Sequence, residues 1–297
     1  MKHMEKHPMI MIVIGVVGIS LSSIFVKYSS APSAVTAAWR LLWTVVLMTP
    51  VVLGKKTVRQ GMHGLNTKTI LLSVLSGLFL AVHFALWFES LRHTTVASST
   101  TIVCTEVIWV SLGYCLFLKG KLSRKALGAI AVTLLGSILI AWVDSSTGFH
   151  LYGDILSLAA AIAVAVYTLI GRTVRAETST TVYTYLCYTA CAAVLLVICA
   201  VQGHALFGYG VDAILVGLLL SLFSTILGHS IFSWCLKYFS PSFVSASKLC
   251  EPVVAAILAA LLFREIPTFL QLFGGGLILS GVLYYSHIEG THESAAQ

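Results

Sequence analysis

Charge is scarce in this sequence. Asp, Glu, Lys and Arg make up 10% of its 297 residues, where a soluble domain carries about 25%. With 58% hydrophobic residues, too few polar side chains remain to cover a water-facing surface. An ordinary cytosolic enzyme is therefore excluded, and so is a disordered chain, which would be poor in apolar residues. Catalytic and motor signatures are missing too. There is no Walker A sequence and so no built-in ATP motor, and no HExxH or GxSxG for hydrolysis. No Arg-rich helix points to voltage sensing, and no TVGYG-like filter points to a potassium pore. CxxC is absent. Cys104, Cys115, Cys187, Cys191, Cys199, Cys235 and Cys250 all lie in apolar runs, so they read as small hydrophobes rather than a disulfide frame or metal site. No cofactor is expected.

What the chain does have is long apolar stretches. A helix needs about 20 apolar residues to span hydrocarbon. Ten stretches qualify: 9–28, 34–53, 69–90, 95–118, 124–143, 152–172, 182–201, 213–236, 242–263 and 268–287. The expected fold is an all-α membrane protein of ten transmembrane helices. The first run follows a basic start and precedes Ser29-Ser30-Ala31, much like a signal peptide, but its length marks it as a retained first helix.

The net charge of +7 would hint at nucleic acid in a soluble protein. In this chain Lys and Arg cluster in short connections between apolar runs, which is a topology signal. With the N-terminus inside, thirteen fall on the cytoplasmic side; Lys27, Arg92 and Arg264 fall outside, and Arg40 and Lys248 lie within spans. Both termini are expected in the cytoplasm, and no nucleic-acid partner is expected.

The chain also repeats. A shift of 145 residues carries Ser90-Leu91-Arg92 onto Cys235-Leu236-Lys237, Glu106 onto Glu251, Lys119 onto Arg264 and Gly136 onto Gly281. The halves are residues 1–145 and 146–297. Five spans per half is an odd number, so successive copies should sit upside down relative to one another. Inverted repeats of this kind build many secondary transporters, with the substrate site near the midplane between halves.

The stretch Ser245-Ala-Ser-Lys-Leu-Cys-Glu-Pro252, the run to Phe263, Arg264-Glu265 and Gly274-Gly-Gly-Leu-Ile-Leu-Ser-Gly281 resembles the C-terminal pattern of EamA-family proteins of the drug/metabolite transporter superfamily. Gly153-Asp154 opening span six, with Tyr167 and Arg172 toward its end, resembles the same family. The resemblance implies alternating-access transport of small metabolites across a bacterial inner membrane. It also implies that spans 1–4 and 6–9 surround the cavity while spans 5 and 10 lie outside it. The first repeat has Glu106-Val107 where the second has Glu251-Pro252, so the two gates need not behave alike.

Charge at bilayer depth is costly and normally marks a pathway or site. Glu106 lies mid-span with Trp109 three residues on, on one helix face. A carboxylate beside an aromatic face suits a substrate ammonium or a coupling proton; its other reading is a structural partner of Arg40. Arg40 sits between Trp39 and Trp43. Its guanidinium suits a substrate carboxylate, can lock Glu106, or can snorkel to the interface. Lys248 and Glu251 share a face of span nine and read as an internal ion pair. Pro252 after them favours a kink that can serve as a gate hinge. His83 and His229 nearly coincide under the repeat shift and suit proton coupling, although an interior His is more often a packing residue.

Among the aromatics Trp109 and Tyr167 are the cavity candidates; Trp87, Trp234, Tyr114, Tyr185 and Tyr188 share the same potential. Gly128, Gly136, Gly274, Gly275, Gly276, Ser280 and Gly281 suit close helix packing, and a homodimer contact is their second use. The function these residues support is export or exchange of amino acids or related zwitterions, with Arg40 on the carboxylate and Glu106 on the ammonium. An organic-cation carrier built on Glu106 and aromatic rings is the alternative. A channel and a non-transporting scaffold are remoter ones.

Overall fold

The computed structural model describes residues 8–94, 96–144, 151–251, 253, 254, 257 and 268–295. Every regular element among them is helical. In chain order these are α1 (Pro8–Ser20), α2 (Ser22–Lys27), α3 (Ser33–Gly54), α4 (Lys56–His63), α5 (Thr67–His93), α6 (Val96–Cys104), α7 (Glu106–Phe117), α8 (Arg124–Asp144), α9 (Leu151–Arg175), α10 (Thr180–Val201) and α11 (Val211–Leu219). A π-helical stretch, Leu220–His229, follows, then α12 (Ser230–Cys235), α13 (Pro241–Lys248) and α14 (Phe269–Ala295). Seven helices among the described residues are long and apolar enough to cross a membrane: Pro8–Val26, Ser33–Gly54, Thr67–His93, Ser99–Phe117, Leu151–Arg175, Thr180–Val201 and Val211–Cys235. The protein is a multi-pass membrane protein.

Local chemistry sets the helix starts at one end of the bundle. The side chains of Asn66, Ser179 and Ser240 accept from the backbone N–H of Thr69, Val182 and Phe243, satisfying donors that a helix start leaves open. Pro241 takes the first position of α13, where its missing N–H does no harm. The same end carries Lys55, Lys56, Arg59, Lys68, Arg172, Arg175 and Lys237. This is the basic end of the bundle.

Helix packing follows the repeat. Residues of α5 pack on α9, and α1 packs on the π-helical stretch; α10 packs on α5, and α11 on α3. Exchanging first-repeat spans for second-repeat spans turns each member of these pairs into the other. Three contacts map onto themselves: α3 with α10, α7 with α13, and α8 with α14. Those three lie on the local symmetry axis. Small residues permit the closest approaches. A Cβ on Gly136 would sit 2.6 Å from the Gly274 carbonyl oxygen, and one on Gly18 would sit 2.7 Å from the Phe223 carbonyl oxygen. The close-packing use therefore takes Gly136, Gly274 and Gly281 inside the chain and leaves Gly128 and Gly276 on the outer surface.

Several spans are broken. α1 and α2 are separated by a turn at Leu21, α6 and α7 by one at Thr105, and α13 ends in turns at Leu249 and Cys250. Pro252, expected as a hinge, lies outside the described residues.

Candidate functional site

A buried cavity of about 50 Å³ lies where the breaks converge. It is lined by Ser22 after the first break, by Arg40 of α3 and by His83 and Trp87 of α5. Glu106, after the second break, His229 at the end of the π stretch, and Lys248 and Glu251 flanking the third complete its polar wall. Ile19, Val103 and Val164 supply the apolar part. Both repeats thus contribute.

Arg40 is 1% exposed. Its Nε donates to Thr225 Oγ1 at 2.7 Å and Nη1 donates to Ser22 Oγ at 3.2 Å. The guanidinium carbon stands 4.1 Å from the Phe84 ring centroid, a cation–π contact. The π-helical widening explains the first bond: Thr225 Oγ1 donates to the Leu220 carbonyl five residues back and turns its lone pair to Arg40. π segments recur at functional sites. Among the described residues no carboxylate lies within ion-pairing distance of Arg40. The expected lock between Arg40 and Glu106 is not what the structure holds, because neutral hydroxyls bind the guanidinium instead.

The expected pair of Lys248 with Glu251 is also replaced. Lys248 Nζ donates to Glu106 Oε1 at 2.8 Å, across the α7–α13 contact. It is the one ion pair among the described residues that joins the two repeats. Glu251 Oε1 is buried without a hydrogen-bond partner among the described residues, as is Trp87 Nε1. Buried polar atoms rarely stay unpaired, so a carboxylate acceptor and an indole donor both await a partner in the cavity wall. Glu106, first residue of α7, also benefits from the positive end of its own helix.

His83 Nδ1 lies 3.0 Å from the Ala160 carbonyl. A carbonyl only accepts, so Nδ1 carries the hydrogen and Nε2 of the neutral ring is an acceptor. The His83 and His229 ring centroids are 6.4 Å apart, and His83 stacks on Trp87 at 5.8 Å. The two histidines that the repeat shift brings within one position of each other therefore meet in one cavity.

Trp109 and Tyr167 do not line it. Trp109 Nε1 is buried elsewhere without a partner among the described residues. Tyr167 instead hydrogen-bonds through its hydroxyl to Ser233 Oγ at 3.0 Å, with its ring 6.0 Å from that of His229. Trp87 takes the aromatic place assigned to Trp109. Its position one turn after His83 was the readable signal. Ser22 and Thr225 carried no signal beyond small polar residues in apolar runs.

The two ends of the bundle differ. At the basic end Arg175 Nε donates to the Ser233 carbonyl at 3.0 Å and Nη1 to the Thr178 carbonyl, while Arg172 Nη1 donates to the Leu236 and Phe239 carbonyls. Those to Ser233, Leu236 and Phe239 tie α9 to α12 and the turn after it, and the one to Thr178 closes the turn after α9. At the opposite end a vestibule of about 440 Å³ lies among Pro32, Glu89, Arg92, Tyr152, Gln202 and His204. It shares no lining residue with the cavity.

An all-helical membrane bundle of two repeats, with a charged cavity between them, has the architecture of a membrane transporter. The chain belongs to the EamA-like transporter family, whose model matches residues 7–142 and again residues 151–286. The chain is also similar to two uncharacterized transporters of Archaeoglobus fulgidus. One is 22% identical over 71% of this chain and 74% of its own length; the other is 24% identical over 66% and 70%. A protein of known crystal structure shares the fold with a TM-score of 0.78 at 15% identity, over 97% of this chain and 99% of its own.

Proposed function

We propose that this transporter is a secondary, alternating-access carrier that exports or exchanges amino acids or related small zwitterions. Its ten spans form two inverted five-helix repeats in a bacterial inner membrane, with both termini cytoplasmic and the basic end inside. One observation carries the substrate reading: among the described residues, one cavity presents a cation held only by neutral groups, Arg40, and a carboxylate oxygen without a hydrogen-bond partner, on Glu251. A carboxylate on Arg40 and an ammonium on Glu251 would satisfy both. Glu251 thereby replaces Glu106 as the ammonium acceptor, since Lys248 already occupies Glu106. Trp87 Nε1 is a second donor for the carboxylate.

At about 50 Å³ the cavity has room for only a few waters. A ligand of amino-acid size needs it to widen, which a change of facing state supplies. The arginine–carbonyl bonds at the basic end fit a state closed to the inside. Glu251, His83 and His229 are the candidates for proton coupling, and a flux indifferent to an imposed pH gradient removes that role. The organic-cation reading is weaker, because Arg40 lines the same cavity and opposes a cation there.

The test is a thermal-melt screen of the detergent-purified protein against amino acids, organic cations and sugars. A ligand at a hundred times its Kd stabilises the folded state by about 2.7 kcal/mol. Small neutral amino acids are expected to raise Tm, and Arg40→Ala to abolish that shift. A shift with quaternary ammonium compounds alone would overturn the zwitterion reading.

A further inference from the structure

The two cavity glutamates hold equivalent places in the repeat but have unequal partners. Thr105 N–H donates to the Ile102 carbonyl at 3.0 Å, and Cys250 N–H donates to the Ser247 carbonyl at 3.2 Å. Ile108 N–H then returns to Thr105, and Val253 N–H to Cys250. Each residue of the second set stands 145 positions after its counterpart in the first. Both spans thus tighten through the same turn, and Glu106 and Glu251 each follow it directly. Lys248 breaks the equivalence: its counterpart 145 residues earlier is Val103. One amine therefore serves two carboxylates. It sits on Glu106 at 2.8 Å, while Glu251, three residues further along its own chain, keeps Oε1 buried and unpartnered among the described residues.

We propose that Lys248 is a tethered cation that passes from Glu106 to Glu251 when the carrier changes its facing state. This rests on the alternating-access reading above. In an inverted-repeat carrier the change of state rocks one repeat against the other around a fixed site. Equivalent repeats can do this by exchanging conformations, so the partnered and vacant carboxylates exchange as well. The Lys248–Glu106 pair clasps the two repeats together. A Lys248–Glu251 pair lies within the second repeat and releases that clasp. The amine keeps a carboxylate partner in both states, which avoids an isolated buried charge, and its flexible stem permits the swing. In each state one glutamate is left vacant for the substrate cation.

The experiment is hydrogen–deuterium exchange with mass spectrometry on the full-length protein in detergent without substrate. Residues 172–178 and 233–240 report the basic end; 86–93 and 152–156 report the opposite end. Glu251→Gln holds Lys248 on Glu106, so exchange slows at the basic end and quickens at the other, by about tenfold for a charge-assisted bond. Glu106→Gln sends Lys248 to Glu251 and gives the reverse pattern. If melting scans show that Glu106→Gln does not fold, Glu106→Asp shortens the reach and gives the same sign. With Lys248→Met added, the two glutamine variants become alike. The proposal is overturned if the two variants shift in the same direction or not at all, or if opposite shifts persist without the lysine. Because no substrate is used, opposite shifts in a protein inactive in flux would keep the lysine transfer and remove the transport reading. Same-direction shifts in an active carrier would do the converse.

Discussion

The two repeats contribute to the cavity alike in one respect and differently in another. Each supplies one glutamate and one histidine: Glu106 and His83 from the first, Glu251 and His229 from the second. The cations have no counterparts. Arg40 comes from the first repeat, and the corresponding stretch Thr184–Cys187 carries no charge; Lys248 comes from the second, and its counterpart is Val103. The backbone shows the same division. The breaks before Glu106 and Glu251 match, whereas α9 is continuous where α1 and α2 are broken, and α5 is regular where its counterpart contains a π stretch. In the proposed carrier, shared parts suit what two facing states need in common. The unshared parts, the break at Leu21 and the widened turn at Thr225, are the ones that hold Arg40, and Arg40 gives the site its polarity.

The largest effect that sharpens this comparison separates the equivalent glutamates. Glu106→Gln breaks the pair that joins the repeats, leaves Lys248 only Glu251 as a carboxylate partner, and should lower stability by about 1.5–3 kcal/mol, the worth of a hydrogen bond between charged groups. Glu251→Gln should cost far less, since its Oε1 has no hydrogen-bond partner among the described residues to lose. Chemical denaturation measures both, and with Lys248→Met added the two glutamine variants should cost alike. Equal costs would mean that the repeats are not unequal in the way described. Next, Arg40→Ala should cut amino-acid transport in proteoliposomes about a hundredfold, roughly 3 kcal/mol for a buried charge contact. Tyr185→Ala at the counterpart position should leave transport within about threefold.

A smaller effect concerns the self-paired spans. Gly136→Ala places a Cβ against the Gly274 carbonyl and should destabilise by about 1–3 kcal/mol. Gly128→Ala on the same helix meets nothing within 4 Å and should stay within about 0.5 kcal/mol, both read from Tm. The smallest is Thr225→Val, which removes one acceptor from Arg40 and should raise the transport KM about fivefold, near 1 kcal/mol.

The apolar runs, the repeat and the Glu and His equivalence were all readable from residues, because burial in lipid demands long apolar stretches and duplication preserves spacing. The breaks were less so. Nothing at Leu21 or Thr105 announces a turn, since neither position carries Gly or Pro; the widening at Leu220–His229 likewise shows only in the hydrogen-bond geometry. Lys248 was assigned to Glu251 because residues three apart on a helix are neighbours. Its actual partner lies across the contact between α7 and α13, which spacing along one chain segment does not reveal. Trp109 was preferred over Trp87 for the same reason: it is near Glu106 in sequence, while Trp87 is near it only through the packing of α5.

Arg40 and Glu251 together make the proposed zwitterion site between the two repeats. The most direct test is counterflow of radiolabelled small neutral amino acids into proteoliposomes preloaded with the same compound, for the native protein and for Arg40→Ala in parallel. The account predicts accumulation by the native protein that preloading drives and that Arg40→Ala abolishes while remaining folded. Accumulation by Arg40→Ala equal to that of the native protein would contradict it.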